Sequence, residues 1–233
     1  VTQVGISGGL IVELFLKDNP HQNGMSMYSG GYVIIRNHSD FLNLMSGFMI
    51  STSEVTYVSL EKSIHKQLPK PYSDCVENIN SIDGFDSFYF KKVIEMNISY
   101  NQEACYTYYI QSKIFEKCNC FNNVLMKIDD SKPCVTPEEN GCFFELYQQL
   151  IVDDFKNKIK GLCPLECTSI TFDKTMSFNR YPTDNYANNL LKQPRIRNLF
   201  GNNSNVTKEN LKESIGSLYV FFEKMKYTSI TEI

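Results

Sequence analysis

Eight cysteines in a chain of 233 residues constrain its fold more than any other feature. They stand at positions 75, 105, 118, 120, 134, 142, 163 and 167, all in the middle of the chain. A polypeptide of this length buries enough apolar surface to fold without cross-links, so size alone does not call for them. So many oxidisable thiols point instead to an oxidising compartment, where paired cysteines persist. Sequons at Asn37, Asn97 and Asn205, with a fourth at Asn202 in an asparagine-rich stretch, point the same way and mark candidate glycosylation sites.

Spacing alone leaves 105 complete pairings open. Cys118 and Cys120 flank a single residue, and in extended backbone their side chains leave in opposite directions, as anchors for two different bonds. Cys163 and Cys167 enclose three residues, a spacing found in some zinc sites, and Cys118 with Cys120 offers two more thiolates. Neither unit has the C-x2-C form, four cysteines remain over, and His21, His38 and His65 share no ligand spacing. Disulfides are the better reading, with no metal and no cofactor expected.

The formal charge is -3, from 23 basic and 26 acidic residues. The only arginines are Arg36, Arg180, Arg195 and Arg197, and no basic stripe is present to neutralise a phosphate backbone, so nucleic acid is not an expected partner. No phosphate-binding glycine loop, zinc-protease motif or nucleophile elbow occurs, and the carboxylates are scattered without an ordered nucleophile and base. An enzyme is therefore not expected, and no catalytic residue is assigned. The opening VTQVGISGGL lacks the basic and cleavage regions of a signal peptide, and patches such as LIVELFL and FLNLMSGFMI fall short of the roughly 20 apolar residues a spanning helix needs. The expectation is an internal piece of a longer polypeptide.

Strand-like composition occurs at Leu10 to Leu16, GYVIIRN, EVTYVSLEKSI, SITFDKTMSFNRYPTD and SLYVFFEKM. In EVTYVSLEKSI, Thr56, Val58 and Leu60 share one side and Val55, Tyr57, Ser59 and Glu61 the other. A helix is predicted from about Asn101 to Lys117, with Cys105, Tyr108, Tyr109, Ser112 and Phe115 or Glu116 at the three-to-four spacing of one helix face. A second opens on Thr136-Pro137-Glu138-Glu139, with a hydroxyl at the N-cap, proline at N1 and glutamate at N3, and carries one apolar face through Phe143, Leu146, Tyr147, Leu150, Ile151, Phe155 and Ile159 to a C-terminal cap at Gly161. Thr207 with Asn210 caps a third, KENLKESI. Helices and strands are segregated, which defines an α+β fold.

The ordered series GGLIVELFL, GYVIIRNH, LPKPYSDC, ACYTYYIQSKIFEKCNC, CVTPEENGC, CPLEC and LYVFFEKMKYTSITE resembles the extracellular domain of the degenerin and epithelial sodium channel superfamily, which includes acid-sensing and peptide-gated channels. The resemblance covers nearly the whole chain. It implies disulfide-laddered thumb helices attached to a palm β-sheet in a hand-like ectodomain, with residues 1–74 as palm and β-ball strands, 75–167 as the thumb, and 168–233 as further palm strands with a knuckle. It implies the pairs Cys75 with Cys167, Cys105 with Cys163, Cys118 with Cys142 and Cys120 with Cys134.

The same resemblance implies a transmembrane, amiloride-sensitive sodium channel at the plasma membrane, with this stretch on its extracellular side and membrane helices flanking it. Homo- or heterotrimeric channel subunits and an extracellular peptide or proton ligand are the implied partners. Tyr72, in KPYSDC, matches the family's aromatic at the base of the thumb and is the candidate gating-coupling residue; its plainer reading is a core or turn tyrosine. Glu145 matches one thumb acid, whereas the acid one turn on falls at Gln149. Glu145, Asp153 and Asp154 are the candidate acid-sensing carboxylates, against a plainer reading as a solvated helix face. The alternative function is a secreted or membrane-anchored disulfide-rich binding protein without a pore.

Overall fold

The computed structural model describes residues 3–16, 30–37, 40, 46–122, 125, 127, 132–152, 159–201 and 206–232. It divides into two compact units, one drawn from residues 1–34, 47–63 and 172–228 and the other from residues 35–46, 64–171 and 229–233.

The strands are β1 Leu10–Phe15, β2 Gly31–Val33, β3 Phe48–Ile50, β4 Glu54–Gln67, β5 Thr168–Arg180 and β6 Ile215–Glu232. Among the described residues, four of them form a sheet in the order β1-β6-β4-β5, and β2 pairs with β3. β1 runs antiparallel to β6, with Leu10 opposite Val220 and Phe15 opposite Ile215. In β4 the period of two sends Thr56, Val58 and Leu60 to full burial, while Tyr57, Ser59 and Glu61 stay partly accessible. The strand expected over GYVIIRN ends at Val33, where its ladder with Phe48 closes.

Among the described residues of the first unit are three short α-helices: α4 Asp184–Leu191, α5 Pro194–Leu199 and α6 Lys208–Ser214. Only α6 is signalled by the sequence, through the reciprocal Thr207–Asn210 capping box that the structure contains. DNYANNLL has little intrinsic helix preference, yet Thr183 Oγ1 accepts the Tyr186 N–H and Ala187 and Leu190 are buried one turn apart. They pack with Leu211 and Ile215 in one core, flanked by Phe15 edge-on to Phe200 at 5.1 Å.

The second unit contains α1 Phe88–Glu95, α2 Gln102–Cys118 and α3 Pro137–Val152. α1 is a further helix that the sequence reading omits; Phe90 and Val93 bury on one of its faces. They join Tyr100, Ala104, Cys105, Tyr108, Ile159 and Cys163 in a continuous core. α2 is capped by Asn101, whose side-chain oxygen accepts the Ala104 N–H at 2.7 Å. Its buried face is Ala104, Cys105, Tyr108, Gln111 and Ile114, so the expected inward Ser112 and Phe115 are corrected to Gln111 and Ile114. α3 opens on the predicted cap: Thr136 Oγ1 accepts the Glu139 N–H at 3.2 Å and Glu139 Oε2 accepts the Thr136 N–H at 3.1 Å. The Lys132 ammonium, with the Val135 and Thr136 N–H groups, holds the Glu139 carboxyl down to about 2.

One expectation is overturned. No helix among the described residues is long and apolar enough to cross a membrane, so the designation transmembrane does not apply to them.

Candidate functional site

The second unit is organised around its sulfurs. Cys75 is bonded to Cys167, Cys105 to Cys163, Cys118 to Cys142 and Cys120 to Cys134, spanning 92, 58, 24 and 14 positions. Two of these bonds fix α2 near its ends: Cys105 lies in its first turn and Cys118 is its last residue. The divergence of Cys118 and Cys120 has a different cause from extended backbone. Asn119 ends α2 in the left-handed conformation at φ 53°, its N–H donating to the Phe115 carbonyl, and the chain turns there toward Cys134.

Beyond that turn Phe121 and Cys134 continue the tie. The Phe121 N–H donates to the Lys132 carbonyl at 2.9 Å, and the Cys134 N–H to the Phe121 carbonyl at 2.8 Å. Inside it, the wholly buried Gln111 meets the Asn122 backbone through both ends of its amide. Ile114, Cys120, Cys134 and Phe143 close the core around it.

At the other end of α2, the CPLEC segment and the Leu162 before it are gripped from three sides. The Tyr100 hydroxyl donates to the Pro164 carbonyl at 2.7 Å, the Gln102 side-chain amide to the Cys163 carbonyl at 2.9 Å, and the Ser87 hydroxyl to the Leu162 carbonyl at 2.5 Å. Val76 donates its N–H to the Leu165 carbonyl and accepts that of Cys167. Glu166 receives the Gln102 N–H at 2.9 Å, placing a carboxylate at the positive end of α2. Burial pushes the Glu166 carboxyl up against that hydrogen bond, with neighbouring Glu103 adding to the rise, and burial also raises Glu103. The sequence reading missed both acids; the signal available was a glutamate held between two bonded cysteines. Beside this base lies a cavity of about 1030 Å³ whose lining includes Lys70, Asp74, Gln102, Lys160 and Pro164.

Tyr72 is 67% exposed on a turn in which its N–H donates to the Pro69 carbonyl, so it is not a core tyrosine. Glu145 is exposed on α3, accepting from the Gln149 side chain at 3.2 Å. Asp153 and Asp154 lie outside the described residues, as do Asn202 and Asn205. Asn37 and Asn97 are exposed. The structure thus pairs the eight cysteines and leaves Glu145 far in sequence from the half-buried Glu166 and the exposed Glu103 at the α2 start.

A mixed sheet-and-helix fold with all described cysteines in disulfides defines a disulfide-stabilised α+β domain suited to an oxidising compartment. Over residues 1–233 the chain matches the family described as the amiloride-sensitive sodium channel, and it belongs to that family. It is similar to the epithelial sodium channel subunit gamma of Neoceratodus forsteri, with 24% identity over 238 residues covering 98% of this chain and 33% of the relative. It is also similar to subunit alpha of Xenopus laevis, at 21% identity covering 98% of this chain and 34% of the relative, and to subunit gamma-2 of Xenopus laevis, at 22%, 98% and 33%. The chain spans about a third of the length of these relatives. Membership in a family of channel subunits makes it a non-enzyme.

Proposed function

We propose that this chain is the extracellular gating region of a trimeric, ligand-gated, amiloride-sensitive sodium channel at the plasma membrane. In this reading residues 75–167 are the thumb, residues 1–74 supply palm and β-ball strands, and residues 168–233 supply palm strands with a knuckle. A stimulus that binds one arrangement of the thumb more tightly than another shifts the population of open channels, and a few kcal/mol of differential affinity is enough.

The observation that carries the reading is the covalent fixing of α2: sulfur bonds near both ends make the helical region stiff, so displacement is passed on instead of being absorbed locally. Tyr72, exposed on the turn just before Cys75, is the candidate contact through which displacement leaves. Extracellular peptide and proton remain the two ligand classes; Glu166, half-buried at the start of α2 with its carboxyl raised by burial, supports the proton.

The test is to express the full-length polypeptide in oocytes, alone and with epithelial sodium channel subunits, and to record amiloride-sensitive sodium current while acid and candidate peptides are applied separately. A stimulus-evoked, amiloride-blocked current is the expected result. Protein that reaches the cell surface yet neither carries nor modifies such a current in any combination overturns the channel reading in favour of a pore-less binding protein.

A further inference from the structure

The first unit contains a second cavity, of about 720 Å³, with an unusual lining for a sheet surface: four tyrosines, Tyr57, Tyr181, Tyr186 and Tyr219, around one carboxylate, Glu13. Strand alternation explains how they meet. Ile11 is opposite Tyr219 and Glu13 opposite Ser217 in the β1–β6 ladder, while Val55 and Tyr57 present the matching face of β4. Tyr57 and Tyr219 lie with ring centroids 4.9 Å apart, and Tyr181 and Tyr186 at 5.9 Å close the other side from the end of β5 and from α4.

The hydrogen bonds crowd onto one oxygen of the Glu13 carboxylate, which is exposed on β1. Both Tyr181 and Tyr186 donate their hydroxyls to the same oxygen, Glu13 Oε1, the latter at 2.7 Å. Glu13 Oε2 has no hydrogen-bond or ion-pair partner among the described residues. Burial and the Glu13 carboxylate hold the Tyr181 hydroxyl well above its ordinary range, and Glu13 also raises that of Tyr186, so both hydroxyls stay protonated donors. Arg180 is the only cation among the described lining residues and forms no ion pair with Glu13.

An anion would face a carboxylate and electron-rich rings. A hard divalent cation would find a single carboxylate where it requires six or more oxygens, and no group of three or more metal-ligating side chains occurs among the described residues. A soft, bulky cation suits both components, since tyrosine faces attract an alkylammonium group and a carboxylate supplies the counter-charge. We propose that this tyrosine-lined cavity binds a small organic cation bearing an alkylammonium head group, with Glu13 Oε2 as its counter-ion. The site is independent of the gating assignment: it needs no membrane current to be observed.

The test is calorimetric titration of the intact disulfide-bonded chain with choline and tetramethylammonium, beside 3,3-dimethylbutan-1-ol, the neutral isostere of choline. Saturable binding of both cations is expected, with the neutral alcohol at least about ten-fold weaker. Glu13→Gln, which keeps a carbonyl oxygen for the two hydroxyls but removes the charge, lowers cation affinity by about ten-fold or more. Arg180→Gln, which removes no hydrogen bond to Glu13, raises it by removing the competing cation. Equal binding of alcohol and cations overturns the proposal, as does absence of saturable cation binding to both the native chain and Arg180→Gln.

Discussion

Gln111 and Asn122 clasp each other in the sealed interior between α2 and the segment that follows it. The Gln111 side-chain N–H donates to the Asn122 carbonyl at 3.0 Å, and Gln111 Oε1 accepts the Asn122 N–H at 3.1 Å. A wholly buried amide is tolerable only with such bonds, and here they fix the position of the segment just beyond Cys120. Replacing Gln111 by alanine removes both and opens a cavity. We expect a loss of about 3 kcal/mol, read by denaturant unfolding of the oxidised chain.

Thr56 presents the opposite case. Its side chain is fully buried and its hydroxyl has no hydrogen-bond partner. Thr56→Val exchanges that hydroxyl for a methyl group in the same branched shape, and a gain of about 1 kcal/mol is expected. A thermal shift to lower temperature would show that the hydroxyl is satisfied in solution.

The disulfides differ in the length of chain they close. Cys75–Cys167 spans 92 positions and Cys120–Cys134 spans 14. Even allowing for the shortcut through the enclosed bonds, the outer closure restricts the unfolded chain more, about 4 kcal/mol against about 3 kcal/mol. Paired alanine replacements should therefore lower the denaturation midpoint further for Cys75 and Cys167 than for Cys120 and Cys134.

Glu166 and Glu139 give opposite pH signatures. Because burial raises the Glu166 carboxyl, the folded chain holds that proton more tightly than the unfolded one; this stabilisation is present in acid and fades as pH rises through the ordinary glutamate range to the raised value. Glu139 is lowered to about 2, so its contribution is present above the ordinary glutamate range and is lost as pH falls toward that value. Melting temperatures of Glu166→Gln should decline less than those of the native chain as pH rises from about 4 to 7, while Glu139→Gln should erase part of the loss seen on acidification.

Tyr72 is exposed and anchored by its backbone, so Tyr72→Ala should leave unfolding within about 0.5 kcal/mol of the native chain. If it couples the helical region to a pore, the same substitution in the full-length protein lowers stimulus-evoked current at unchanged surface abundance. Surface biotinylation alongside current recording separates the two.

The sequence by itself determined what is local. A cap needs only residues three apart, so Thr136 and Thr207 announced the starts of α3 and α6, while apolar spacing placed α2. Alternation over a few residues likewise placed Thr56, Val58 and Leu60 on one face of β4. Composition carried the α+β class and the oxidising compartment. The ordered motifs carried the family, because motif order is itself a property of the string.

Tertiary structure decided whatever depends on groups far apart in the chain. α1 and α4 exist because Phe90, Val93, Ala187 and Leu190 find buried partners, which weak local preference does not reveal. Gln111 is polar and reads as surface until Asn122 is folded against it. Glu166 acquires its raised carboxyl from its surroundings, and Glu13 acquires its tyrosines from β4, β6 and the segment after β5, the farthest of them, Tyr219, 206 positions away. Burial and electrostatics are set by neighbours in space, and chain folding alone selects those neighbours.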